Sequence, residues 1–153
     1  MKFLPVGLDV RGRTCIVVGG GQIGTRKAVN LLEAGAEVSV VSLTASEEVV
    51  QLVKACRLHW KNAEYGENDL DGAFLAVAAT DDQELNARIV EDAQERGVLV
   101  CDASSASRSE VIFGALHRGE GITLAVFTDG RDPSLARKTR DRIASLSGEW
   151  EEK

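Results

Sequence analysis

An α/β fold built on a doubly wound parallel sheet is the class this sequence predicts, and three observations carry it. Short β-branched apolar runs recur along the first two thirds of the chain. Between them lie segments whose apolar residues repeat at helical spacing. Glycines and capping residues mark the joins. Alternation of this kind implies right-handed βαβ units, because parallel strands need a crossover and a helix supplies it.

The first strand is "TCIVVGG", continuous in apolarity and ended by glycine, as expected of a strand covered on both faces. From Gln22 to Ala34, Ile23, Ala28, Leu31 and Leu32 recur at near-helical spacing, and Gly35 supplies the stop. "AEVSVVS" is the next strand. "SEEVVQLVKAC" follows as a helix, with Ser46 as N-cap and Val49, Val50, Leu52 and Val53 as its apolar side. "RLHWKNAEY" is a shorter strand or extended piece that carries His59 beside Trp60. "GAFLAVAAT" is a strong strand, "DDQELNARIVEDAQERG" an amphipathic helix with Leu85, Ile89 and Ala93 on one side, and "VLVCDASS" completes the alternation.

After about Ser109 the rhythm changes. "EVIFGALHRGEGITLAVFTDG" places two apolar runs around the turn-forming "HRGEG", which suggests an antiparallel pair. "DPSLARKTRDRIASLSG" reads as a helix with Asp132 as N-cap and Pro133 at its first position. The expected division is a domain over 1–110 and a small α+β unit over 111–153. The second unit is too short for a core of its own and is expected to pack on a partner chain.

A net charge of −6 provides no basic field, so nucleic acid is not an expected partner. No apolar run approaches the roughly 20 residues that cross a bilayer, so no membrane association is expected. The opening "MKFLPVGLDVRGR" lacks a signal-peptide shape, since Pro5, Asp9 and Arg11 interrupt it. Cys15, Cys56 and Cys101 have neither even number nor C-x-x-C spacing; that argues against disulfides or a metal site and suits a reducing cytoplasm. His59 and His117 lie far apart and form no recognisable metal cluster.

Gly19, Gly21 and Gly24 fit G-x-G-x-x-G between a strand and a helix. The first permits a tight turn, the second lets the backbone approach a pyrophosphate, and the third lets the helix lie close to the sheet. A pyrophosphate there would meet the free N–H groups and dipole of the helix N-terminus. An acidic ribose-binding residue is missing, since the corresponding place is about Ser42. No arginine follows it to receive a 2′-phosphate, and Glu47 and Glu48 would oppose one, which favours NAD over NADP. P-loop spacing and a Tyr-x-x-x-Lys site are both absent, the latter because Asp69 stands four residues after Tyr65.

Taken together, "LPVGLDVRGRTCIVVGGGQIGTRKA", "LLEAGAEVSVVSLT", "LAVAATDDQELN" and "LAVFTDGRDPSLAR" resemble the precorrin-2 dehydrogenase family, the N-terminal part of siroheme synthases and their single-function relatives. The resemblance keeps the order and spacing of all four segments across nearly the whole chain. It implies a Rossmann-type NAD domain, oxidation of the tetrapyrrole precorrin-2 to sirohydrochlorin, and a homodimer joined through the elements near 113–147. It implies dinucleotide contacts at Gln22, Ile23, Leu43 and Thr44, with Thr80 and Asp81 on the same sheet edge. The family often carries a catalytic Asp after the last Rossmann strand, where "VCDASSAS" puts Ser104 or Ser105. Asp102 is then the nearby carboxylate that could take a proton, or a strand-end turn residue. This departure argues against an added ferrochelatase activity, which a pyrrole-deprotonating carboxylate would help. The family usually continues with a further helical region, whereas this sequence stops soon after "DRIASLSG".

A precorrin carries many carboxylates, and "RDPSLARKTRDR" offers Arg131, Arg137, Lys138, Arg140 and Arg142 against Asp132 and Asp141. With the family-like loop Thr128, Asp129 and Gly130, Arg137 is the expected substrate contact. Arg26 and Lys27 either approach the cofactor phosphates or cover the first helix. The rival expectations are a bifunctional dehydrogenase and ferrochelatase, a non-catalytic NAD-sensing domain, and a tetrapyrrole carrier.

Overall fold

A computed structural model describes residues 2–119 and 121–146. The chain divides into two units. One is Gly7–Val111; the other joins the N-terminal residues up to Val6 with the chain from Ile112 onward. The sequence-based division at 110 and 111 kept the first six residues with the larger domain, whereas here they group with the smaller one.

The larger unit holds β1 (Thr14–Gly20), α1 (Gln22–Glu33), β2 (Glu37–Ala45), α2 (Glu47–Lys54), β3 (His59–Lys61), β4 (Leu75–Ala78), α3 (Gln83–Glu95) and β5 (Leu99–Asp102). All five strands are parallel, in the order β3-β2-β1-β4-β5. The period-2 alternation of β1 sends its side chains to two different covers. Ile16 and Val18 pack with Ala76, Ala78 and Val100 against Ile89, Val90 and Ala93 of α3. Val17 lies on the face met by α1 at Gly24. Both covers are closed: Cys15, Val17, Val40, Val77 and Val100 are fully buried. Burying a Val, Leu or Ile side chain contributes about 1.5–3 kcal/mol, so this sheet is the stable frame on which the loops are mounted.

Helix ends follow the expected chemistry. The Ser46 hydroxyl accepts from Val49 N at 3.3 Å, and the Asp82 carboxylate accepts from Glu84 N and Leu85 N at 2.8 and 3.1 Å. Two features depart from the sequence reading. β2 runs on to Ala45, past the end of "AEVSVVS", because a register shift after Val18 lets Gly20 pair with Ala45. A 3-10 turn, Glu67–Leu70, precedes β4; the Asp69 carboxylate accepts from Gly66 N at 2.9 Å and Leu70 is buried.

The smaller unit holds β6 (Ala115–Arg118), β7 (Thr123–Val126) and α4 (Pro133–Ala144). β6 and β7 are antiparallel, with His117 opposite Leu124. α4 packs on both strands, and Arg140 Nη1 donates to the Leu116 carbonyl at 3.0 Å. Asp132 caps α4 through Leu135 N at 2.8 Å, with Pro133 in the first turn. Among the described residues of this unit, Ala136 is the one buried apolar side chain, while Leu4, Val6, Ile122 and Leu135 are exposed.

Candidate functional site

Strand order reverses between β1 and β4, so the loops that leave their C-terminal ends diverge and open a crevice. Four segments meet this edge: Gly19–Gly21 at the end of β1, the end of β2, Ala79–Asp82 after β4, and the turn after Asp102 on β5.

The glycine loop is built by exclusion. Gly19 has φ +114°, and a Cβ there would strike the carbonyl of Ala79, whose carbon lies at 2.7 Å. A Cβ at Gly24 would collide with the Gly19 carbonyl oxygen, so α1 lies directly on the loop. Gly20 is equally constrained, between the Thr44 carbonyl and Ser42 Oγ at 2.6 Å. Gly21 differs: a Cβ there would meet nothing within 4 Å. It is the N-cap of α1, with no side-chain hydrogen bond, and the first turn of α1 carries no acidic residue. Open space beside uncapped helix N–H groups suits an anionic group such as a pyrophosphate. The Gly19, Gly21, Gln22, Ile23 and Gly24 set therefore forms a cradle that a dinucleotide fits.

At the end of β2 the expected ribose position, Ser42, is already engaged. Trp60 Nε1 lies 3.1 Å from both the Ser42 carbonyl and its hydroxyl oxygen. Leu43 and Thr44 lie exposed beyond it, and Ile23 is half exposed at the start of α1.

The loops after β4 and β5 are joined by a polar cluster. Asn86, on the buried face of α3, is fully enclosed. Its Oδ1 accepts from Thr80 N at 3.1 Å and Thr80 Oγ1 at 2.8 Å. Its Nδ2 donates to the Thr80 carbonyl at 3.0 Å and to Ser104 Oγ at 3.4 Å. Asp81 is exposed on this loop.

Asp102 has a side chain with 0% exposure. Its Oδ1 accepts from Ser104 N at 2.8 Å, Ser104 Oγ at 2.6 Å and Ser105 N at 3.1 Å. Its Oδ2 accepts from Arg108 Nε at 2.6 Å. Burial raises this carboxyl, but the hydrogen bonds from Ser104 and Arg108 outweigh it and hold it below the ordinary carboxylate range. The group is ionised, saturated and enclosed, which is the chemistry of a turn anchor. Ser109 supports it from behind, its Oγ accepting from Asp102 N at 2.9 Å. Ser105 Oγ lies 2.8 Å from Ser107 Oγ.

Thr128, Asp129, Gly130 and Arg137 belong to the smaller unit. Asp129 and Gly130 both take positive φ, at 52° and 74°. Thr128 Oγ1 accepts from Asp132 N at 3.2 Å, which tightens the turn into α4. Arg137 is exposed on α4. Lys27 is half-buried on α1, and burial lowers its ammonium.

Sequence reasoning missed Gly20, Trp60, Asn86, Arg108 and Ser109. Two had a visible signal: a third glycine in the run, and an asparagine on the apolar face of α3. Arg108 had none, since only the folded turn brings it onto Asp102.

A parallel sheet in this order, with a glycine loop open at a helix N-terminus, defines a dinucleotide-binding Rossmann unit. The profile of the family described as "Putative NAD(P)-binding" matches residues 6–115. Among solved structures, "SirC, precorrin-2 dehydrogenase" superposes with a TM-score of 0.81 at 35% identity, covering 94% of this chain and 70% of that one. The chain belongs to the NAD(P)-binding family of precorrin-2 dehydrogenases. Siroheme synthase 1 of Serratia proteamaculans is 36% identical over 146 residues, 95% of this chain and 31% of that protein. The siroheme synthase of Stutzerimonas stutzeri is 41% identical over 143 residues, 94% of this chain and 31% of its own length. The chain thus spans about a third of the length of the curated siroheme synthases it matches.

Proposed function

We propose that this chain is a NAD-dependent precorrin-2 dehydrogenase, forming sirohydrochlorin in siroheme biosynthesis. One observation carries the reading: the dinucleotide cradle is intact in a chain 35% identical to a precorrin-2 dehydrogenase over 94% of its length. NAD, when bound, supplies the hydride acceptor.

The chain's own residues bind and orient. Gly19, Gly21 and Gly24 let the start of α1 reach the pyrophosphate, with Gln22 and Ile23 giving the first-turn N–H groups. Leu43 and Thr44 take the adenosine side. Their neutrality, with Glu47 and Glu48 opening α2, disfavours a 2′-phosphate and supports NAD over NADP. The Thr80–Asp81 loop, held by Asn86, flanks the nicotinamide end. Asp102 acts by fixing the Ser104–Ser105 turn rather than as a free base, because its oxygens are already occupied. The substrate proton leaves to water at this turn, with Ser105 Oγ as the hydroxyl that passes it on.

Arg137 of the smaller unit takes a substrate carboxylate, and the loop of Thr128, Asp129 and Gly130 contacts the substrate without supplying that charge. A second copy of the chain covers Leu4, Val6, Ile122 and Leu135, giving a homodimer. The setting is the cytoplasm, where the thiols of Cys15, Cys56 and Cys101 stay reduced.

The test is anaerobic incubation with freshly generated precorrin-2 and NAD, with NADP and cofactor-free controls, following the sirohydrochlorin spectrum. NAD-dependent conversion is expected. Tight NAD binding without turnover would overturn the enzyme reading in favour of a sensor or carrier.

A further inference from the structure

We infer that Arg108 is a built anchor for a carboxylate of the substrate at the β5 end of this edge; the inference rests on the dehydrogenase reading. Arg108 stands on the turn that follows Asp102. Its Nε donates to Asp102 Oδ2 at 2.6 Å, and its Nη2 to Ser104 Oγ at 3.3 Å. The carboxylate beneath it has 0% exposure, while the Arg108 side chain keeps 36%. The guanidinium is therefore held from the protein side and open on the other. Among the described residues, Nη1 has no protein partner. Through Ser104 and Asn86 the same cluster reaches Thr80, the loop assigned to the nicotinamide end.

A guanidinium is a planar fork whose geometry matches a carboxylate, and it stays charged at any working pH. One already fixed by a buried partner gives up little side-chain freedom when a ligand arrives, which is where most of the cost of a long cation lies. The surroundings make such a fixed donor necessary. The chain carries a net charge of −6, and exposed Asp81 and Asp82 stand on the loop after β4. A polycarboxylate approaching this edge meets no general positive field, so its orientation depends on discrete donors. Arg108 would hold one carboxylate beside the reacting carbon, while Arg137 belongs to the other unit.

A purely structural Arg108 would neutralise Asp102 and do nothing else, and the two roles separate experimentally. The probe is uroporphyrin III, an air-stable octacarboxylate tetrapyrrole, titrated by fluorescence against wild type, Arg108→Gln and Arg108→Lys at low and high salt. Thermal midpoints and NAD affinity are measured on the same samples. The anchor requires porphyrin binding to weaken about tenfold or more in Arg108→Gln, as expected for loss of a charge-assisted pair. NAD affinity should stay within about threefold, and with precorrin-2 the loss should fall in KM. Arg108→Lys keeps the charge that Asp102 needs, so it tests the fork even where the glutamine variant folds poorly; it should recover only part of the affinity. Unchanged porphyrin affinity and KM in the lysine variant, with wild type active, would overturn the anchor alone. A wild type that binds NAD but neither binds porphyrin nor oxidises precorrin-2 would overturn both it and the dehydrogenase reading.

Discussion

Gly21→Ala separates binding from folding at a single methyl group. Gly21 has φ −75° and ψ −176°, a conformation alanine adopts freely, and its Cβ would meet no atom within 4 Å. The cost to folding is therefore that of exchanging Gly for Ala at a helix N-cap, offset by a stiffer unfolded chain, and should stay within about 1 kcal/mol. Binding is another matter, because the methyl occupies the space through which a pyrophosphate reaches the first turn of α1. Losing one or two charge-assisted N–H contacts at about 1.5–3 kcal/mol each weakens NAD roughly tenfold to a thousandfold or more. Calorimetric titration with NAD, paired with thermal unfolding, reads both quantities. Gly24→Ala is the contrast, since its methyl collides with the Gly19 carbonyl and neither backbone can yield. Overpacking there should cost about 1–3 kcal/mol, lowering the midpoint by several degrees. A Gly21→Ala protein that bound NAD within threefold of wild type would refute the cradle.

Asp102→Asn should remove a pH-dependent part of the stability. The folded carboxyl is depressed, so its contribution is complete above the ordinary value of about 4 and is lost as pH falls through the lower folded value. The variant should lose roughly 2–3 kcal/mol at neutral pH, discounted because Arg108 is a third exposed, and its stability should fall less steeply below about pH 4. Urea unfolding across that range checks this, and parallel curves would contradict it. Asn86→Ala should cost about 2–4 kcal/mol in the same assay, because it strips partners from the Thr80 backbone N–H and carbonyl. Thiol labelling near pH 8 should modify Cys56 rapidly and spare Cys15, whose thiol burial pushes up to about 11; all three should react in denaturant.

The alternation of elements was legible because each strand and helix carries its own period and its own stop. "TCIVVGG" and the Asp82-capped helix needed no tertiary information. Gly19 and Gly24 were legible because the turn after the strand and the close seat of α1 on that loop leave no room for a side chain. The end of β2 was not, since its extension to Ala45 depends on a register shift in β1, a pairing between distant segments. The partner of Ser42 was not legible for a similar reason: Trp60, 18 residues on, donates to its hydroxyl oxygen only once β2 and β3 are paired.

Local patterning alone therefore determined the class of fold, the glycine-rich start of α1 and the neutral residue at the end of β2 where an acidic one is often found. Those properties depend on periodicity and on which residues tolerate a given backbone angle, and both are written within a few neighbours. Only the tertiary structure decided what the polar residues do. Asp102 became an enclosed anchor, Asn86 a clamp on Thr80, and Arg108 a half-open cation, because a carboxylate buried at a strand end must be satisfied by whatever the next turn and the neighbouring helix bring to it.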